Sequence, residues 1–227
     1  MLKNKKVVVV GGSSGIGLAV ARLAQQQGAR VVIASRQAPA RVSESPSVKI
    51  MEVHSFNILA DEDHSRLFEA TGEIDHLVVT VRPEITLASF RDSQITEAKR
   101  AFDTKFWGAY RLIQAARPHF RDEGSITLTS GIAGERIYRG ASTMAIINSA
   151  TETLCRALAV ELAPLRVNAV SPGFVAPKPR AVEEHAGTFP SGRLASLDEV
   201  ASAYLSLMGN PYVTGTVLVV DGGARLV

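Results

Sequence analysis

The chain has 227 residues, the size of one large domain, with 46% hydrophobic and 21% charged residues. Its net charge is only +3, and no basic run is interleaved with aromatic residues, so nucleic-acid binding is not expected. No apolar run reaches the roughly 18 residues of a membrane span, and the five histidines lack metal-ligand spacing. The single cysteine, Cys155, excludes an intrachain disulfide and fits a reducing compartment, so a cytoplasmic location is predicted.

Short apolar runs alternate with longer helical patterns along the whole chain. The runs predict strands over residues 6–10, 30–35, 48–53, 76–80, 125–129, 166–170 and 217–220. Helices are predicted over residues 15–27, 61–70, 94–117 (one long or broken helix), 142–162 and 196–208. Ser196 and Glu199 have the spacing of a capping box at the start of the last helix. Several strands are apolar throughout, which is typical of parallel strands covered on both faces. The fold class predicted is therefore α/β: a Rossmann-type doubly wound parallel β-sheet flanked by helices on both faces, in a single domain over residues 1–227.

One segment departs from this alternation. Residues 176–193 are rich in proline, glycine and charged residues, and are too few to separate two domains. The segment follows a predicted strand end, where ligands sit in open α/β sheets. We therefore predict that it is a substrate lid.

A glycine-rich loop follows the first predicted strand and opens the first helix. Its glycines allow a sharp turn and a close approach of the backbone to a pyrophosphate, which the helix N-terminus attracts. A tight turn without a ligand is the plain alternative. A hydrolase nucleophile elbow also fits the spacing, but that elbow needs earlier strands to build its oxyanion hole. We interpret the loop as a dinucleotide cradle, with Gly11, Ser13, Ser14, Gly15, Ile16 and Gly17 binding the cofactor.

The end of the second strand indicates which ribose is bound. An acidic residue there would accept hydrogen bonds from the 2′-hydroxyl of NAD(H), but the chain has Ser35 and Arg36. The Arg36 guanidinium can fork onto a 2′-phosphate, and Ser35 can add a hydroxyl. NADP(H) is therefore the preferred cofactor over NAD(H), although an arginine on a solvated loop is the alternative reading of Arg36.

At this point the chain resembles the short-chain dehydrogenase/reductase family over nearly its whole length. The resemblance rests on the glycine loop and on three later stretches: 124–130 (GSITLTS), 159–173 (AVELAPLRVNAVSPG) and 213–223 (VTGTVLVVDGG). It implies an oxidoreductase acting on a small-molecule substrate and assembled as a homodimer or homotetramer. Asn57, Pro172 and Gly173 complete the predicted cofactor-binding set.

The same resemblance puts the usual catalytic residues in question. Family members commonly use an Asn-Ser-Tyr-Lys set, in which the tyrosine is the general acid and the lysine lowers its pKa. Counting back from the 159–173 stretch places the tyrosine and the lysine on Met144 and Asn148. The serine falls on Gly131, beside Ser130, and the asparagine falls on Lys105. The chain is thus identified as a divergent member without the usual catalytic identities.

Three explanations fit this pattern. The chain is a reductase with another proton source, a catalytically inactive NADP(H)-binding sensor or regulatory protein, or a structural subunit of a mixed oligomer. Our working hypothesis is the first, an NADP(H)-dependent oxidoreductase that reduces a small carbonyl-like or imine-like substrate. Its candidate catalytic residues are Lys105, Tyr138 and Ser130, with Arg82 facing the same cleft.

Overall fold

The computed structural model describes residues 2–37 and 51–227. All the strands in this part of the chain belong to one seven-stranded sheet with the order β3-β2-β1-β4-β5-β6-β7, and every neighbouring pair is parallel. The order reverses direction beside β1, so the chain winds first one way and then the other. The predicted doubly wound parallel sheet is confirmed.

Strands and helices follow each other with short connections. The strands are β1 (Lys6–Val10), β2 (Arg30–Ser35), β3 (Glu52–Ser55), β4 (Ile74–Val79), β5 (Phe120–Thr129), β6 (Arg166–Pro172) and β7 (Val217–Val220). The helices are α1 (Gly15–Gln26), α2 (Asp61–Thr71), α3 (Ile95–Phe102), α4 (Gly108–Ala116), α5 (Ser142–Glu161), α6 (Arg180–Ala186) and α7 (Leu197–Gly209). A π-helical turn, Asp103–Trp107, joins α3 to α4.

Two apolar cores lie on opposite faces of the sheet. On one face α1 and α7 pack together, and Val20 and Tyr204 are fully buried there. On the other face α2, α4 and α5 cover the strands, with Phe68 and Leu112 fully buried. Because both faces are covered, β1 and β4 consist of buried residues for most of their length, as their continuous apolar sequences predict.

Most predicted elements agree with the structure to within two residues, and the exceptions have physical causes. Strand β4 begins two residues early because the buried Asp75 is satisfied there, accepting hydrogen bonds from the Lys6 backbone N–H and the Lys5 ammonium. Strand β5 begins at Phe120 rather than at residue 125, through an irregularity in its pairing with β4. In the strand predicted over 48–53, residues 48–50 lie outside the described residues, and β3 continues to Ser55.

The segment 176–193 is not simply irregular, because α6 forms within it. The predicted capping box at the start of α7 is confirmed: the Ser196 hydroxyl accepts from the Glu199 backbone N–H, and the Glu199 carboxylate accepts from the Ser196 backbone N–H. Among residues 2–37 and 51–227, no helix has both the length and the apolar character that a membrane crossing requires. The same residues contain no cluster of three or more potential metal ligands from His, Cys, Asp or Glu.

Candidate active site

A cleft of about 740 Å³ opens at the carboxyl ends of the central strands. This volume is in the range of small-molecule and cofactor sites. Its walls come from the ends of β1, β2, β4, β5 and β6, from the π-helical turn and from α5. Every residue predicted to bind the cofactor lines it: Gly11, Ser13, Ser14, Gly15, Ile16, Gly17, Ser35, Arg36, Asn57, Pro172 and Gly173.

The glycine loop forms the floor of this cleft beside β1. A side chain at Gly17 would overlap the Gly11 carbonyl oxygen and the Thr80 hydroxyl. The backbone at Gly17 therefore packs directly against the start of the loop and against the residue that follows β4. A side chain at Gly15 would instead meet nothing within 4 Å. Helix α1 begins here with neither a side-chain cap nor an acidic residue in its first turn. Its first N–H groups and its positive end therefore remain available to an anion.

Strand β2 ends at Ser35, and Ser35 and Arg36 are the two residues expected to contact the adenosine half of the cofactor. The Ser35 hydroxyl donates to the Ser13 hydroxyl over 2.7 Å, which ties the strand end to the glycine loop. The Arg36 guanidinium pairs with Glu84 at 3.1 Å, and both side chains are exposed. The sequence gives no signal for this ion pair, because Glu84 lies 48 residues away on the segment after β4. An exposed pair of this kind contributes about 0–1 kcal/mol and is easily exchanged for another partner.

Lys105 lies in the π-helical turn and is only 8% exposed. Its ammonium donates to the Ser130 carbonyl oxygen at 2.9 Å and to the Asn148 side-chain oxygen at 2.6 Å. Burial lowers the pKa of Lys105 to about 7, an effect that Glu152 opposes and Arg82 reinforces. An ammonium has three N–H donors, so one remains for another acceptor in the cleft. A π-helical turn within an otherwise α-helical stretch often marks a functional position.

Ser130 and Asn148 complete this small polar cluster. Ser130 follows the last residue of β5, and its hydroxyl makes only a long 3.4 Å hydrogen bond to the Val170 carbonyl. At Gly131 an added Cβ would lie 2.9 Å from the side-chain nitrogen of Asn148, so the Asn148 amide occupies the space beside that position. Lys105, Ser130, Gly131, Met144 and Asn148 all line the cleft.

Tyr138 requires a correction, because it is not among the residues that line the cleft. Its ring packs edge-on against Phe174 in a small apolar cluster that also contains Phe189. Its hydroxyl is buried and has no hydrogen-bond partner within the described part of the chain, and burial raises the pKa of the phenol. The loop between β5 and α5 thus packs this aromatic residue against the segment after β6.

Two further cations belong to the cleft. Arg82, on the segment after β4, lines it as expected, and Lys178, in the predicted lid, lines it as well. Nothing in the sequence sets Lys178 apart from the other charged residues of segment 176–193. Burial lowers the pKa of Lys178, and the nearby Arg82 lowers it further. Arg82 therefore lines the same cleft as both lysines, and its charge lowers the pKa of each of them.

This geometry can be compared with that of known proteins. A family model described as enoyl-(acyl carrier protein) reductase matches residues 10–225. The chain belongs to the short-chain dehydrogenase/reductase family. It is an oxidoreductase of that type, which confirms the family and the general class of reaction expected from the sequence.

Three members of the family illustrate the similarity. A short-chain dehydrogenase/reductase named ATR9, from Stachybotrys chlorohalonatus, is 32% identical, covering 99% of this chain and 98% of its own. A 3-oxoacyl-[acyl-carrier-protein] reductase from Rattus norvegicus is 32% identical, over 98% of this chain and 99% of its own. A crystal structure of a small-chain dehydrogenase in complex with NADPH has a TM-score of 0.88 and 34% identity, covering 99% of this chain and 100% of that one.

Proposed function

We propose that this short-chain dehydrogenase/reductase uses NADP(H) to reduce a small carbonyl-like or imine-like compound, with Lys105 in place of the family's tyrosine as the proton source. The observation that carries the proposal is the position of the Lys105 ammonium. It is held by the Ser130 carbonyl and the Asn148 amide in the same cleft as the glycine loop. Cofactor cradle and proton donor therefore share one cavity.

The cofactor part rests on the fit of the cleft to a dinucleotide. The open space at Gly15 and the uncapped start of α1 suit a pyrophosphate. Arg36 lies at the end of β2, where the adenosine ribose is read, and can leave the exposed Glu84 for a 2′-phosphate. The NADPH complex of the structure that is 34% identical adds support. NADPH, when bound, would supply a hydride.

The proton part rests on the state of Lys105. An ordinary lysine with a pKa near 10 gives up its proton reluctantly at neutral pH, whereas burial brings this one to about 7. A carbonyl or imine carbon that accepted a hydride would leave an electron pair on the heteroatom, oxygen or nitrogen, which then needs a proton. Lys105 donates a proton to that heteroatom and regains one from water. A substrate that enters as a protonated imine would need only the hydride.

The test is single-turnover oxidation of NADPH, followed by its absorbance, over panels of carbonyl, imine and enone compounds at several pH values. Carbonyl reduction is expected, with the Lys105→Met variant about 10²–10⁴-fold slower, the usual share of a general acid. Lys99→Met is the matched control, because Lys99 is an exposed lysine of the same helical stretch and does not line the cleft.

Two outcomes would overturn the proposal. If NADPH binds tightly and no compound is ever reduced, the chain is an inactive cofactor-binding protein. If carbonyl compounds are reduced and Lys105→Met is as fast as Lys99→Met, another group supplies the proton. An imine whose reduction is unaffected by Lys105→Met, beside a carbonyl compound that depends on it, would agree with the proposed role.

A further inference from the structure

Basic side chains dominate the charged part of the cleft lining. Among residues 2–37 and 51–227, five basic side chains and one acidic side chain line the cleft, and the acidic residue, Glu84, is already paired with Arg36. The remaining basic residues are Arg82, Arg100, Lys105 and Lys178. Within residues 2–37 and 51–227, no carboxylate lies within ion-pair distance of Arg82 or Lys178.

The positions of Arg82 and Lys178 separate them from the residues expected to bind the phosphates of the cofactor. Arg36 and the glycine loop follow β2 and β1, whereas Lys178 follows β6, which lies beyond β4 and β5 in the sheet. Arg82 follows β4, between these two halves. Arg82 and Lys178 therefore flank the end of β5, where Ser130 and the Lys105 ammonium are found.

Cations held in one cleft raise the electrostatic free energy of the protein, and an anionic ligand lowers it again. Arg82 lowers the pKa of both Lys105 and Lys178, so its positive charge acts against each of these two ammonium groups. An anion among them would relieve this repulsion and accept charge-assisted hydrogen bonds. A neutral ligand in the same place would leave the repulsion unchanged.

We propose that Arg82 and Lys178 form a subsite for an anionic group of the substrate, so that the enzyme acts on small oxo acids or related carboxylate-bearing compounds. This inference rests on the proposed function for the reaction itself, but the anion subsite can be tested without any turnover. The carboxylate would lie against Arg82 and Lys178, with the reacting oxygen or nitrogen on the side of Lys105.

The experiment uses two matched probes, acetoacetate and its neutral methyl ester, titrated calorimetrically into the protein saturated with NADP⁺, where no reduction can occur. The acid is expected to bind at least tenfold more tightly than the ester. Arg82→Gln and Lys178→Gln should each reduce that preference several-fold, since each removes one charge from the subsite. Arg180→Gln is the control, because Arg180 is exposed, pairs with Glu184 and does not line the cleft.

The outcomes separate the subsite from the reaction. Equal binding of acid and ester would overturn the anion subsite, whether or not the protein reduces any compound. Variants that weaken NADP⁺ binding while leaving the preference for the acid intact would also overturn it, because the two cations would then belong to the cofactor. A tenfold preference that disappears in both variants supports the subsite, even in a protein that proves unable to transfer a hydride.

Discussion

The Lys105 ammonium donates to the Asn148 side-chain oxygen over 2.6 Å, and this hydrogen bond joins the π-helical turn to α5. The family resemblance assigns an asparagine to position 105 and a lysine to position 148, so the two residue types are present with their positions exchanged. Both side chains are buried in this structure. The exchange therefore keeps an ammonium and an amide in one polar cluster. The ammonium is carried by the π-helical turn instead of by α5.

This relationship predicts strong coupling between the two positions. Lys105→Asn should destabilise the fold by about 1–3 kcal/mol, because the Ser130 carbonyl and the Asn148 amide lose a buried donor. Asn148→Lys should destabilise it as well, since it buries a second ammonium beside the first. The double variant should be more stable than the sum of the two losses, measured by urea unfolding as a double-mutant cycle. Strictly additive losses would contradict the contact.

A second prediction concerns the pH dependence of carbonyl reduction. Lys105 is an acid only while protonated, so kcat/KM at saturating NADPH should fall about tenfold per pH unit above its pKa. Burial brings that pKa to about 7 in the free protein, and the phosphates of a bound cofactor would raise it towards the ordinary value.

Two charged neighbours of Lys105 predict the direction in which a substitution shifts this pH profile. Glu152 raises the pKa of Lys105 and Arg82 lowers it. Glu152→Gln should therefore move the alkaline limb of the profile to lower pH, and Arg82→Gln should move it to higher pH. Both profiles are recorded with a neutral carbonyl substrate, so that the proposed anion subsite does not contribute. Shifts in the same direction, or none, would contradict the assignment of this limb to Lys105.

The fold could be read from the sequence because its signals are local. The apolar run at β1, the glycines after it and the capping box at Ser196 each act over a few residues, and each is found where it was expected. Strand β4 was predicted too short because Asp75 interrupts its apolar pattern. That carboxylate is paired with Lys5 and Lys6, about 70 residues away in the chain, and with Arg121.

The site could be predicted only in part for the same reason. The residues predicted to bind the cofactor lie in a contiguous loop and at strand ends, so their place in the cleft followed from the topology. The pairing of Arg36 with Glu84, the contact between Lys105 and Asn148 and the approach of Arg82 to Lys178 all join distant segments. Tyr138 was misplaced because nothing in its loop signals on which side the ring will pack, and the deciding contact is with Phe174.

The proposed cofactor preference makes a third prediction. Arg36→Ala should weaken NADPH binding about tenfold or more while changing NADH binding little, because a hydrogen bond to a charged group contributes about 1.5–3 kcal/mol. Glu84→Gln should strengthen NADPH binding, by less than about fivefold, because it frees Arg36 from an exposed pair that contributes at most about 1 kcal/mol. Fluorescence titration measures both. Equal losses of NADPH and NADH in Arg36→Ala would contradict the 2′-phosphate contact.

Removal of the Tyr138 hydroxyl makes a fourth prediction. Because that hydroxyl is outside the cleft and has no partner within the described residues, Tyr138→Phe should retain the kcat/KM of the unmodified protein. It should also unfold at the same temperature or slightly higher, since it removes a buried polar group that makes no hydrogen bond. A loss of activity above tenfold at unchanged stability would show that Tyr138 reaches the cleft and takes part in the reaction.

The two glycines of the loop that differ most in their surroundings make the last prediction. Gly17→Ala would force a Cβ into the Gly11 carbonyl oxygen and the Thr80 hydroxyl, so the loop must move and cofactor affinity should fall by at least a hundredfold. Gly15→Ala meets no neighbour in the protein, so its cost to the fold is the positive φ of 54°, about 1 kcal/mol for a residue other than glycine. Its Cβ enters the space proposed for the pyrophosphate, so NADPH binding should weaken, but less than when the loop must move. Thermal unfolding of both variants, with and without NADPH, separates the two effects. Gly15→Ala should lose some intrinsic stability and retain a measurable increase with NADPH, whereas Gly17→Ala should show no increase at the same concentration. A Gly17→Ala variant that NADPH stabilises as strongly as the unmodified protein would show that this close approach of backbones does not shape the cofactor site.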